Sequence, residues 1–393
     1  MLSDLKAIEH VLGTAKCPED VFGPLGGAWG ADKLSTLKKM YHRMVLVVHP
    51  DKYNGNHEEA ALATEVFARL TDWNKKAEEK IGAGSYGDNK PHEPAPAKPK
   101  MGAQVIQTPK RKYILTDLLA EGDLAQLYRC TYEEDCVEKQ AAFKIAMSAG
   151  DNDFMENEAR VLGAMYAKKQ VEERFYRYLP KPLDSFLLRP EHGTGARGAA
   201  RRVNVIQLAE GFVPLSAVMA AYPKGLDYRD VVWMFKRSLA GLWYVHRQKL
   251  AVHGAILPEH LLIHPTGHGC KIVDWCYAVQ DWPSKNARVK AISKARRAFY
   301  APEILKKNPV TPQTDLYMLG KCVVALLGGD VTTGRMPDAV PKQVRAFISS
   351  LLIENQSKRP DDAGKLHEEF DTLLTNIVGK PKYRPLAMPT GAL

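Results

Sequence analysis

The chain has 393 residues, 45% of them hydrophobic and 8% aromatic, which suits two or three cores and is too apolar for wholesale disorder. Its apolar runs, such as residues 44–48, are far shorter than a membrane span, and the opening MLSDLKAIEHVLG mixes charge into its apolar positions as no signal-peptide core does. A cytoplasmic chain without a membrane segment is therefore expected. The net charge of +10 permits an acidic partner, whether protein, nucleic acid or anionic surface, without choosing among them.

In chain order, Leu2, Leu5, Ile8 and Leu12 share one face of a helix over residues 2–12. Leu34, Leu37, Tyr41, Met44 and Val48 recur at three- and four-residue steps and predict a second helix. Pro50 must end it, because a helix interior tolerates neither the ring nor the missing N–H. A third helix runs from about His57 to Lys80, with Ala61, Val66, Leu70 and Trp73 as its core side. Two long helices joined by a short loop make a helical hairpin. Residues 82–110 are rich in Gly, Pro, Ala and Lys and have no apolar period, and PHEPAPAKP favours an extended spacer, so this stretch reads as a linker.

Beyond it, residues 113–119, 125–130 and 140–146 read as a strand meander, 153–167 as a helix and 203–208 as a strand. After residue 216 the pattern is mostly helical, apart from short strands at 261–263 and 271–273. The predicted fold class is thus multidomain: an all-α helical hairpin over 1–81, then an α+β domain of two unlike lobes, 111–210 and 211–380, and a tail over 381–393.

The turn after the second helix is His49-Pro50-Asp51, and Lys38, Lys39, His42 and Arg43 form a basic face opposite the apolar one. With the alanine-rich helix that follows, these features resemble the J-domain family of co-chaperones over about residues 1–80. The resemblance implies docking on a seventy-kilodalton heat-shock chaperone and stimulation of its ATPase, with these seven residues as the chaperone-binding set. Cations on a helix raise the on-rate toward an acidic surface, and a Pro-limited loop presents His49 and Asp51 at little ordering cost. The plainer reading is an ordinary helix–helix turn in which Asp51 caps the next segment. No Gly/Phe-rich or cysteine-rich module follows, so client choice is expected elsewhere in the chain.

The strand meander carries LLAEGDLAQLYRC, AAFKIA and, on the helix, NEARVL. In this order they resemble the glycine-rich loop, the strand lysine and the helix glutamate of protein kinases. The resemblance continues through the strand and turn VNVIQLAEGF, the long segment WYVHRQKLAVHGAILPEHLLIHPTGHGCKIVDWC, then YAPEIL, TDLYMLG and KRP, covering roughly residues 111–377. It implies a nucleotide site, ATP or ADP with magnesium, at Gly122, Lys144, Glu158, Glu210 and Asp274, with Asp274 as the metal ligand. It also gives Asp315 and Arg359 structural positions. The departures fall on the chemistry. Ala120 and Ala125 replace two loop glycines, Gly254 the loop arginine, Ala255 the proton-accepting aspartate and His260 the metal-binding asparagine, while Trp275 and Cys276 follow Asp274.

Alanine accepts no proton, and imidazole is a poor magnesium ligand, so a pseudokinase without catalytic residues is expected. The combined expectation is a J-domain co-chaperone that brings its chaperone to a client or partner held by the kinase-like domain. An active atypical serine/threonine kinase and a nucleic-acid-binding adaptor are the alternatives. The last rests on the overall charge and on Lys285, Arg288, Lys290, Lys294, Arg296 and Arg297; few aromatics interleave them, and a solvated loop on the large lobe is the simpler reading. His264, His268, Cys270 and Cys276 lie close enough in sequence to suggest zinc, but HPTGHGC reads better as a hairpin turn. The six cysteines include no CxxC pair and read as reduced thiols.

Overall fold

The computed structural model describes residues 2–15, 17–23, 25, 33–53, 57–83, 85–86, 104–167, 173–189, 199–379 and 382–388. The chain divides into two compact units, one built from the N-terminal helices and one spanning 101–387. Most of the expected linker lies outside the described residues.

The first unit contains α1 (Leu2–Thr14), α2 (Pro18–Phe22), α3 (Lys33–Val48) and α4 (His57–Gly82). α2 was not predicted. It is a single turn, too short to show a period, started by Pro18 where a missing N–H is harmless and by the Asp20 carboxylate accepting the Cys17 N–H at 3.1 Å. Pro50 stops α3 and opens a short 3-10 turn, Pro50–Tyr53. Leu5, Leu12, Phe22, Leu37, Val48, Val66 and Leu70 form the core. One core assignment is corrected: Ala61 is exposed, and α4 turns Ala63, Val66, Leu70 and Ala77 inward instead, a regular three- and four-residue stripe. The Leu2 side chain lies outside what the structure describes.

The second unit has the expected α+β form. Its small lobe is an antiparallel sheet of β1 (Gln104–Gln107), β2 (Lys112–Glu121), β3 (Ala125–Glu134), β4 (Val137–Ala146), β5 (Pro182–Leu188) and β6 (Arg201–Gln207), in the order β1-β2-β3-β4-β6-β5. β1 falls inside the stretch read as linker: it buries Ile106 and turns into β2 through the Thr108 hydroxyl, which donates to the Arg111 carbonyl at 2.9 Å. β5 also went unpredicted, because a register shift between Pro182 and Asp184 breaks its alternation before Leu183, Phe186 and Leu188 reach the sheet core. α5 (Asn152–Ala167) lies against this sheet.

The large lobe holds a small sheet, β7 (Val213–Pro214), β8 (Leu261–His264) and β9 (Gly269–Ile272), with α6 (Leu215–Ala221), α7 (Tyr228–Arg247), α8 (Pro302–Leu305), α9 (Pro312–Leu326), α10 (Lys342–Leu351) and α11 (Ala363–Val378). α9 is buried on nearly every side and is the axis of the lobe. Residues 382–387 are not a loose tail. Leu386 is buried, its N–H donates to the Pro265 carbonyl at 3.1 Å, and Arg384 pairs with Asp230 at 2.7 Å. The segment carries an apolar residue and a cation at the right spacing, which a reading by helical or strand period does not register. Among the described residues no helix is long and apolar enough to cross a membrane.

Candidate functional site

The strand β4 presents Lys144 into the cleft between the lobes of the second unit. Its ammonium donates to Glu158 Oε1 at 2.9 Å, Asp274 Oδ1 at 2.8 Å and Cys276 Sγ at 3.2 Å. Three N–H groups thus meet three acceptors, which uses the full donor capacity of a lysine. Burial alone would strip the charge from Lys144, but Asp274, Cys276 and Glu158 around it reverse that and hold its pKa well above the usual value. Asp274 moves the opposite way: burial would raise it, and Lys144 with His260 pulls it well below the carboxylate range. The Cys276 thiol is pushed up by burial and by Glu158, so the sulfur stays protonated.

Glu158 on α5 is fixed by a residue the sequence reading missed. Asn204 on β6 donates from Nδ2 to Glu158 Oε2 at 2.9 Å and to the Met155 carbonyl at 2.8 Å, while its Oδ1 accepts from Ser185 at 2.8 Å. The signal was present: one amide inside the buried run Val203–Ile206. Asn157 is a second such residue, donating to the Cys276 and Ala278 carbonyls at 3.1 and 2.8 Å and so tying α5 to the segment after Asp274.

The loop Val252–His260 is built from its backbone outward. Asp315 at the start of α9 is completely buried and accepts the N–H groups of His253 and Gly254 and a hydrogen bond from His246 Nε2, each at 2.8 Å. His253 donates from Nε2 to the Val273 carbonyl at 3.0 Å and accepts the Ala255 N–H on Nδ1, a neutral tautomer; burial lowers its pKa to about 4. Gly254 has φ +72°, and a Cβ there would stand 2.6 Å from Val289 Cγ2. Arg359 and Glu303 form a buried two-bond pair at 2.7 and 2.9 Å, bracing α8 against the turn before α11. Asp315 thus holds the loop directly, while Arg359 sits in a separate buried network that braces α8.

Ala255 is fully buried and belongs to an apolar cluster with Ala125, Ala146, Met155, Cys276 and Tyr277, flanked by Leu124, Phe154, Val289 and Ala291. Leu124 is the tip of the β2–β3 turn, where the Gly122 N–H donates to the Ala125 carbonyl at 2.9 Å. A Cβ on Gly122 would meet only ordinary contact, so this glycine answers no steric demand of the fold. His260 lies beside Asp274, its Nε2 3.0 Å from Oδ2, and its Nδ1 lies 2.8 Å from the Ala255 carbonyl. Glu210 stands in an exposed turn after β6 and takes no part in this charged cluster. Of the five proposed nucleotide residues, the structure groups Lys144, Glu158 and Asp274 and leaves Gly122 and Glu210 on separate turns.

Glu158, Asp274 and Cys276 offer ligand atoms within 4.8 Å of one another, but Lys144 already binds all three. The arrangement does not fit a divalent ion as it stands. Of the residues whose spacing suggested zinc, His264 accepts the Gly267 N–H at 2.9 Å, His268 stacks on Trp233 and Cys270 is buried beside Ser238. In the first unit, His49 and Asp51 are 3.4 Å apart on the turn after α3, Asp51 well exposed, with Lys38 and His42 exposed on α3. The side chains of Lys39 and Arg43 lie outside what the structure describes. Of the basic residues after Asp274, Arg288 donates to the Lys307 carbonyl, Arg296 pairs with Glu259 and Lys290 with Asp153.

Residues 215–387 match the family model of the protein kinase domain. A probable serine/threonine-protein kinase of Bifidobacterium longum is 26% identical over 194 residues, 42% of this chain and 24% of that protein. Myosin light chain kinase 2 of Oryctolagus cuniculus is 24% identical over 174 residues, 39% of this chain and 28% of that protein. Myosin light chain kinase 3 of Pongo abelii is 22% identical over 300 residues, 67% of this chain and 32% of that protein. The chain spans roughly a quarter to a third of the length of these curated relatives. A match to this family implies ATP and magnesium as the general ligands of such a cleft. The C-terminal unit of this chain is therefore a protein-kinase-like α+β domain.

Proposed function

We propose that the kinase-like unit is a binding module with little or no phosphoryl transfer, and that the helical N-terminal unit recruits a seventy-kilodalton heat-shock chaperone to what that module holds. The observation that carries the first half is Ala255. It stands where the resemblance expects a carboxylate, it can neither accept a proton nor orient a hydroxyl, and it is sealed among Cys276, Tyr277 and Leu124. For the second half, support comes from His49, Pro50 and Asp51 ending a helix that also exposes Lys38 and His42. A nucleotide entering the cleft would have to win Lys144 from Asp274.

A second reading, an active atypical serine/threonine kinase, draws on the family match and on the intact Lys144–Glu158 pair. Incubating the full chain with labelled ATP and magnesium or manganese separates the two. We expect no label in the chain or in a generic acceptor. Label that Lys144→Ala abolishes would overturn the binding-module reading and favour the kinase.

A further inference from the structure

A segment without helix or strand stays on a protein surface only through side-chain anchors and main-chain hydrogen bonds that the surface supplies. Residues 383–387 have both. The Tyr383 ring lies 4.7 Å from that of His268, which stacks on Trp233 at 4.1 Å, and the Tyr383 hydroxyl donates to the Thr266 carbonyl. Arg384 closes on Asp230 with two bonds, at 2.7 and 3.1 Å, a planar fork on a carboxylate that lysine cannot copy. Leu386 is buried. On the main chain, His268 Nε2 donates to the Arg384 carbonyl at 2.7 Å, the Leu386 N–H donates to the Pro265 carbonyl at 3.1 Å and Tyr222 donates to the Ala387 carbonyl. Pro385, which has no N–H to lose, sits exposed between two anchors. The surface thus holds an aromatic, an arginine, a proline and a leucine in consecutive places.

This strap fills its groove incompletely. A cleft of about 560 Å³ stays open between it and Tyr222, Leu226, Asp227 and Asp230, and the buried Trp233 Nε1 has no acceptor among the described residues. We propose that the groove of Tyr222, Asp230, Trp233, Pro265 and His268 is a docking site for an aromatic–Arg–Pro–Leu segment of a partner protein, which residues 383–387 occupy in its absence. A partner segment gains the same anchors and reaches further contacts in the open cleft. The strap competes through a short tether, since α11 ends at Val378 and the chain presents its own ligand at an effective concentration of about millimolar. The inference extends the binding-module reading above and rests on it for a biological partner; peptide capture involves neither chaperone nor ATP, so either can fail without the other.

The test uses the full-length chain and a fluorescein-labelled peptide with the sequence of residues 381–388, PKYRPLAM, followed by fluorescence anisotropy. Arg384→Glu with Leu386→Asp should release the strap, and the released chain should bind one peptide roughly tenfold or more tighter than wild type. Tyr383→Ser with Arg384→Ser is the milder companion should the first variant fail to fold. In the released chain Asp230→Arg should abolish binding, and a peptide carrying glutamate in place of its arginine should restore it. Three results would each overturn the proposal: a folded released chain that binds no peptide, binding that Asp230→Arg leaves intact, or a wild-type dimer that Arg384→Glu dissolves, which would make a second copy the occupant.

Discussion

At the residue scale, the loop around Ala255 is held by its backbone. Asp315 collects the His253 and Gly254 N–H groups and the His246 ring, so the loop's path is set by a carboxylate 62 and 61 residues from the two loop residues it binds. Gly254 is part of that path. A side chain there would meet φ +72° and a Cβ contact of 2.6 Å with Val289. Gly254→Ala should therefore destabilise the second unit by about 1–3 kcal/mol, read as a lower urea midpoint; an unchanged midpoint would mean the loop relaxes freely. Substituting arginine, the residue the kinase resemblance expects, meets the same barrier. The loss of the arginine is thus built into the conformation and would not revert by a single exchange. The sequence alone gave the identity of Gly254 but not its φ, which depends on Val289 approaching from another segment.

At the element scale, the buried Glu303–Arg359 pair joins α8 to the turn before α11, and Thr314 at the start of α9 donates to the same carboxylate at 2.8 Å. Removing one partner strands the other charge away from water. Glu303→Gln should cost about 3–5 kcal/mol, whereas Glu303→Leu with Arg359→Met should recover much of that loss in a double-mutant cycle measured by denaturant unfolding. Additive losses would show that the pair acts as two separate contacts. Long periodic elements were legible in the sequence: α3, α4, α5 and the β2–β4 meander all show their spacing. The short ones were not. β1 has four residues, α2 five, and β5 is interrupted by a register shift, so local pattern carries too little signal and the pairing partner decides. Lys144, Glu158 and Asp274 could be picked out because their order along the chain is specific, while Asn204 could not, since its role depends on β6 lying beside β4 and facing α5.

At the scale of the whole molecule, two units share one basic chain, and the proposed division of labour puts recruitment in the first and recognition in the second. His49→Gln should abolish stimulation of a cognate seventy-kilodalton chaperone's ATPase while the circular dichroism of the chain stays unchanged. Equal stimulation by the variant would remove the chaperone from the scheme. His49 is half-exposed and meets Phe67 edge-on, while Leu37 and Tyr53 on either side of the turn are buried, so the substitution leaves the apolar core in place. The three-way grip on Lys144 has a practical consequence for chemical labelling. Amine-reactive probes attack only a neutral, accessible amine, and this ammonium is buried, fully hydrogen-bonded and held protonated by carboxylates from both lobes. Acylation of Lys144 would therefore report the separation of the lobes: its labelling rate is a clock for cleft opening, and any ligand that draws Asp274 away should make it run faster.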